Sequence, residues 1–421
     1  MVIQKRGLSN YVSWFDFVVL MNIATNITII PCVMGLNSVP AVHAFLLILN
    51  FLAILVTRNS LNGKNNKISS HFFIPLILMM LLYIWEIIKT PFILGPSRLE
   101  FSISIFLVQA SFLYLLLKKY QTTGRLETIT RVYIYISIYI VLSTLLCWLL
   151  LNTGVIRIDN PVNYYTMNSN MEQMGSDYYF PNHLSVILSS GIRLPLLHTY
   201  GIPCGLSHEP HVSTFFVTPG LILAIGKWND WRKHLLIGVS FLFFLISISM
   251  TNLICLVIVF IYYAMKTNKK QLFLLIPLFA IIYVLGSYTS LFSELSDFIQ
   301  QKLFSENSSS GDYSYNHILY ALQPNTFIGT TFYSTSITSD EDIGAINSLI
   351  NICFFISFVV CICQCLKKAK ISQLLFVCAI LYFLVHSTKS NTLNYTFPYT
   401  IYMVFITSII TNKIKRNETI E

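Results

Sequence analysis

Between residues 193 and 210 the chain reads R-L-P-L-L-H-T-Y-G-I-P-C-G-L-S-H-E-P. Arg193, His198, Tyr200, His208 and Glu209 fall within this one stretch, and Pro210 opens an apolar run. A glutamate or histidine can act as general base near neutral pH. An arginine offers a permanently charged, bidentate clamp for phosphate. Proline is tolerated in the first turn of a helix, where its missing N–H would have had no partner. The free N–H groups of such a turn, with the helix dipole, favour an anion. The combination suits group transfer on a phosphorylated substrate, with Glu209, His208 and His198 as alternative bases and Arg193 as clamp. The plainer reading uses the same residues: Glu209 caps the helix and the histidines anchor it at an interface.

A second stretch offers His317 in Y-S-Y-N-H-I-L-Y-A-L-Q-P-N-T-F-I-G. Tyr320 would be its i,i+3 neighbour on a helix, with Leu319, Leu322 and the residues around Phe327 forming an apolar face. Asn347 follows in D-I-G-A-I-N-S-L, at the start of the next apolar run. Inside apolar runs, Asp16 and Glu86 are functional candidates by default. Both are expected close enough to an interface to be solvated, and structural roles are the plainer expectation. So little buried charge argues against a proton-coupled pump.

The elements that must position these residues are membrane helices. The chain has 421 residues, of which 55% are hydrophobic and 11% charged, with a mean hydropathy of +0.65; soluble domains carry about 25% charged residues. About 20 apolar residues cross a bilayer as helix. Twelve candidates result: 11–33, 39–57, 72–88, 101–117, 132–151, 212–226, 235–249, 252–265, 271–287, 345–366, 371–386 and 397–411. Reading 235–265 as one helix would make it about 46 Å long, beyond a hydrocarbon core of about 30 Å; a tight hairpin at 249–252 fits better. Lys5 and Arg6 before the first run resemble a signal peptide, but no A-x-A-like site follows, so the run is expected to be the first span.

Positive charge tests this topology. With the N-terminus inside and the spans alternating, only Lys89, Arg98, Arg157, Arg193, Lys302 and Lys389 of the 27 Lys and Arg residues fall outside. That is the asymmetry of the positive-inside rule, and it puts both termini in the cytoplasm. Basic residues in short clusters between apolar runs do not suit nucleic acid. Of nine cysteines, only Cys204 lies in a long polar segment, so no disulfide framework is indicated. Cys361, Cys363 and Cys365 lack zinc spacing and suit helix packing.

The result is a single membrane domain, 1–421, with two large outer segments at 152–211 and 288–344. Both are rich in Tyr, Asn, Ser and Thr, suited to a polyhydroxylated ligand or simply to solvation. The sixth span is short, with Pro219 and Gly220 inside it, and its shortness places its N-terminal end near headgroup level. There is no H-E-x-x-H, Walker A loop, G-x-G-x-x-G or D-x-D, so no metal or cofactor is expected. The cytoplasmic segments are too short for a nucleotide-binding domain. Chemistry on the outer face, away from sugar nucleotides and ATP, calls for a lipid-linked donor.

These features together resemble the O-antigen polymerase and ligase superfamily of bacterial inner-membrane proteins. Arg193, Gly201 or Gly205, Glu209 and Pro210 match its Arg…Gly…Glu-Pro pattern before a helix. P-N-T-F-I-G at 324–329 and Gly344 to Asn347 are similar to its second-loop turn and the polar residue after it. The resemblance implies an all-α polytopic membrane protein of about 12 transmembrane helices with two large periplasmic loops, like GT-C-type glycosyltransferases. It implies polymerisation of undecaprenyl-diphosphate-linked oligosaccharide units into O-antigen or a related surface polysaccharide on the periplasmic face. O-antigen ligase and polysaccharide flippase are the alternatives. Glu209, His208 and His317 become candidate catalytic residues, and Arg193, His198, Tyr200 and Asn347 substrate-binding ones. Membrane lipid, a chain-length regulator and a flippase are the expected partners. The ligase branch carries a histidine near the position of Asn347, so this departure favours the polymerase.

Overall fold

The computed structural model describes residues 14–27, 29–34, 36, 39–58, 70–96, 99–123, 127–158, 161–162, 178–193, 200–207, 210–228, 230–247, 255–260, 323–329 and 344–369. They are mostly helical. The first half holds α1 (Trp14–Ile27), α2 (Ile30–Val33), α3 (Val39–Arg58), α4 (Ser70–Leu94), α5 (Leu99–Thr123) and α6 (Glu127–Asn152). Strands β1 (Tyr178–Tyr179), β2 (Ile187–Arg193) and β3 (Tyr200–Pro203) follow, then α7 (Pro210–Lys227), α8 (Trp231–Ile246) and α9 (Ala345–Ala369). Two helical stretches, Ile74–Leu94 in α4 and Arg131–Asn152 in α6, are long and apolar enough to cross a membrane.

Apolar side chains both fill the core of the bundle and cover parts of its outer surface. On α4 the residues Ile77, Leu81, Ile84 and Ile88 are exposed, and on α6 Tyr139, Leu142, Leu146 and Leu149 are. Their 3–4 residue spacing makes one apolar stripe along each helix. Some polar groups lie inside, beside the apolar core. Asn50 of α3 donates to Asn22 of α1 at 3.0 Å and to Ser111 of α5 at 2.8 Å. One heptad earlier on both α3 and α5, His43 Nδ1 meets Ser104 Oγ at 2.8 Å. These two contacts in step make α3 and α5 a parallel pair, joined by side-chain hydrogen bonds rather than apolar packing alone. Buried hydroxyls elsewhere bond the carbonyl one turn back, as Thr144 does to Ile140 and Ser240 to Leu236, which satisfies them without a partner helix.

At the centre, the described side chains of α7 are buried, among them Val212, Ser213, Phe216, Val217, Leu221 and Ala224. It packs on α6, where the Tyr133 hydroxyl donates to the Phe216 carbonyl and Gly220 sits against Ser137 and Tyr133. A helix with apolar residues on all its described faces and only small hydroxyls between them belongs inside.

Several expectations need correction. The run 11–33 is not one helix. The ring of Pro31 would clash with the carbonyl of residue 27 in a continuous helix, so α1 ends at Ile27 and α2 begins at Ile30. The fold is not purely helical, because 178–203 contains a three-stranded antiparallel sheet in the order β1-β2-β3. Nor is Glu86 solvated: α4 runs on to Leu94, past the expected end at residue 88, and both Glu86 and Asp16 are buried. The separation of 235–265 into two pieces does have a geometric counterpart. The rings of Phe241 and Phe260 meet at 5.7 Å, whereas one straight helix would hold them about 28 Å apart. The expected spans at 271–287, 371–386 and 397–411 lie outside the described residues.

Candidate functional site

Two places join a stretch that holds chemistry-bearing residues to the start of a helix. The first is the stretch before α7. Here β2 and β3 form a hairpin with Ile187 opposite Pro203, Leu188 opposite Ile202 and Arg193 opposite Tyr200, the register shifting between the last two pairs. Arg193 and Tyr200, seven residues apart in sequence, are thus cross-strand neighbours at one end of the hairpin. The other end is built into the bundle. Val186 N–H donates to the Gly205 carbonyl at 2.6 Å, Cys204 N–H to the Val186 carbonyl at 2.8 Å, and Ile29 N–H, from the break between α1 and α2, to the Leu206 carbonyl at 2.7 Å. Ile29, Tyr178, Val186 and Cys204 form a small sealed core under the sheet.

Gly205 makes the close approach possible. Its φ of +67° suits glycine, and a Cβ there would collide with Ser213 in the first turn of α7 and with Ile140 of α6. The turn at 204–207 therefore packs directly against the start of α7. The sequence reading treated Cys204 as part of a polar loop, but it is fully buried, with Sγ at 3.2 Å from the Ile202 carbonyl. Pro210 is the first residue of α7, as its chemistry favours. His198, His208, Glu209 and His317 lie outside the described residues. The residues flanking His208 and Glu209, Ser207 and Pro210, are both buried.

The second place is the junction of α4 and α9. Lys89 Nζ lies 2.6 Å from Glu86 Oε1, one turn away on α4, and the pair is shut off, with Glu86 0% and Lys89 1% exposed. Asn347, in the first turn of α9 and 1% exposed, donates through Nδ2 to the same Glu86 oxygen at 3.0 Å. Thr90 on α4 bonds back to the Glu86 carbonyl at 2.6 Å, and Ser102 of α5 donates to the Thr90 hydroxyl at 3.1 Å. A buried charge pair carries a desolvation cost that its own attraction offsets only with good geometry and extra hydrogen bonds. Asn347 supplies one of those bonds.

The same turn of α9 is covered by residues 326–329. Ala345 N–H donates to the Thr326 carbonyl at 2.9 Å and Ile346 N–H to the Phe327 carbonyl at 3.5 Å. Gly344, at φ +85°, leaves no room for a Cβ against the Ile328 carbonyl. The P-N-T-F-I-G turn and the Gly344 to Asn347 segment, separate in sequence, are one structural unit. Asn347, singled out as a substrate-binding residue, is committed to Glu86. The sequence reading missed that the partner of Glu86 is Lys89, which it placed outside the helix. The i,i+3 spacing of the two was the available signal.

Among the described residues no group of three or more His, Cys, Asp and Glu side chains is arranged to hold a metal ion. Comparison with family models, with characterised proteins and with solved structures gave no match to this chain.

Proposed function

We propose that this chain is a multi-pass protein of the bacterial inner membrane, with both termini cytoplasmic, that polymerises oligosaccharide units carried on undecaprenyl diphosphate. In this reading a hydroxyl of the incoming unit attacks the anomeric carbon of the growing chain on the periplasmic side. The bond between that carbon and the lipid diphosphate breaks, the diphosphate leaves with the bonding electrons, and the hydroxyl proton passes to a base. Glu209 or His208 would take the proton, with His317 as a further candidate. Arg193 would face the departing diphosphate, where fixed positive charge lowers the barrier without a metal. Tyr200 and His198 would contact sugar.

The observation that carries this reading is the cross-strand pairing of Arg193 with Tyr200 on a hairpin whose other end is packed against the first turn of α7. A strand ladder that carries an arginine and a tyrosine at paired positions, and is anchored at its other end to a helix start, supports a sugar-diphosphate site over a solvated loop. The apolar exposed stripes of α4 and α6 support the membrane setting.

Deleting the gene and separating the surface polysaccharide on a gel tests the reading. Single repeat units at the surface are expected; long chains retained on the carrier lipid would instead assign the ligase step. Complementation with Arg193→Ala or Glu209→Gln, at parental protein level, should fail to restore long chains. Full-length polysaccharide from both variants would overturn the residue assignments.

A further inference from the structure

The Glu86–Lys89–Asn347 cluster does more than fill the interior. Asn347 of α9 donates a side-chain hydrogen bond to α4, and it sits in the turn whose backbone N–H groups hold residues 326–329. Lower down, Ile74 and Leu78 of α4 and Ile356 and Val360 of α9 line an apolar pocket between the two helices. Apolar surfaces of that kind tolerate sliding. A directional bond at the end of the pair does not, because Nδ2 must stay within about 3.2 Å of its acceptor. The ion pair fixes that acceptor in turn: Lys89 holds the Glu86 carboxylate from its own helix. Position therefore passes from α4 to Asn347, from Asn347 to the first turn of α9, and from there to a turn that carries Phe327, 70% exposed, and Ile328.

We propose that Glu86 and Lys89 form a latch that, through Asn347, sets the position of the 326–329 turn. These are positioning residues and none of them needs to touch a substrate. The proposal stands apart from the polymerase reading, because its test measures geometry and not polysaccharide.

Hydrogen exchange of the full chain in detergent, read by mass spectrometry, reports the bonds at Ala345 and Ile346 directly. Three variants separate the possibilities. Glu86→Leu with Lys89→Met removes both charges and the acceptor. Glu86→Gln with Lys89→Met removes both charges and keeps an oxygen for Asn347. Asn347→Leu keeps the ion pair and removes the bond, so it remains informative if the first variant does not fold. Exchange at 345–346 should rise roughly ten- to a hundredfold in the first and third, the range for losing a hydrogen bond to a charged group. The second should lie between the parent and the first, because Asn347 keeps an oxygen that Lys89 no longer holds, and the α6 amides should be unchanged in all three. Parental protection at 345–346 in Asn347→Leu would overturn the latch. So would exchange in the Gln variant as fast as in the Leu variant.

Discussion

The α4–α9 junction and the hairpin before α7 are both anchored at the start of a helix, but by opposite means. At the junction, three side chains from two helices bond to one another and are sealed from solvent. At the hairpin, backbone does the positioning: a strand ladder, a glycine contact and a bond from Ile29 hold the inner end, leaving Arg193 and Tyr200 paired at the other end. A position held by side-chain charge is sensitive to which partner is removed. One held by backbone and close packing is sensitive to volume. Substitutions can therefore break the two independently.

The largest effect is expected at the junction. Lys89→Ala leaves the Glu86 carboxylate buried without its cation, and breaking a buried pair in this way costs about 3–5 kcal/mol. The thermal midpoint of the detergent-solubilised protein should fall sharply. Glu86→Leu combined with Lys89→Met should be milder than Lys89→Ala alone, since neutral side chains of similar size replace a buried pair with little loss. If the double variant were the less stable of the two, the charge pair would be stabilising in its own right.

At the hairpin the corresponding change is Gly205→Leu. It adds volume where Ser213 and Ile140 leave none, for roughly 1–3 kcal/mol from overpacking, and it puts a side chain on a left-handed backbone, for roughly 1–2 kcal/mol more. Stability and polysaccharide formation should fall together. Arg193→Ala, by contrast, should lose polysaccharide at unchanged thermal midpoint. A thermal midpoint that drops as far in Arg193→Ala as in Gly205→Leu would make Arg193 part of the scaffold.

The two regions also differ in how much of them could be read from sequence. The helices α3 to α6 were legible because each is one long apolar run bounded by polar residues, and Pro210 marked the start of α7. The sheet was not. Its strands are two, seven and four residues long; β2, I-L-S-S-G-I-R, has no alternation, and the L-P-L-L-H-T that follows it carries no Asn-Gly or Asp-Gly hairpin signal. Its pairing depends instead on contacts from distant places, such as Ile29. The break at Pro31 was visible in the sequence but outweighed by the apolar run around it. At the junction the residue types were legible and the partnership was not, because Glu86 and Asn347 are 261 positions apart.

A smaller effect is expected between the two regions, where α6 meets α7. Tyr133→Phe keeps the ring that packs edge-on against Phe216 at 4.8 Å and removes only the hydroxyl that bonds the Phe216 carbonyl. The loss should be about 1 kcal/mol, the net worth of one such bond. Tyr133→Ala should cost several times more, because it also empties the ring's place in the core. Similar thermal midpoints for the two variants would mean that the hydroxyl, and not the ring, holds α7 to α6.

The smallest effect belongs to the turn joining α7 and α8, which serves as a control for both regions. Asp230 caps α8, accepting from Arg232 N–H at 3.2 Å and pairing with the Arg232 guanidinium. That hydrogen-bonded guanidinium holds the Asp230 carboxyl below its usual range. A carboxyl whose folded-state value is lowered contributes stability above its unfolded value, near 4, and loses it as pH falls through the folded one. Asp230→Asn should therefore equal the parent in strong acid and fall slightly below it as the pH rises towards 4. That difference should persist unchanged to pH 8 and stay small, since both groups are open to solvent and screened. A large loss at neutral pH would show that this turn, and not only the two buried regions, sets the spacing of α7 and α8.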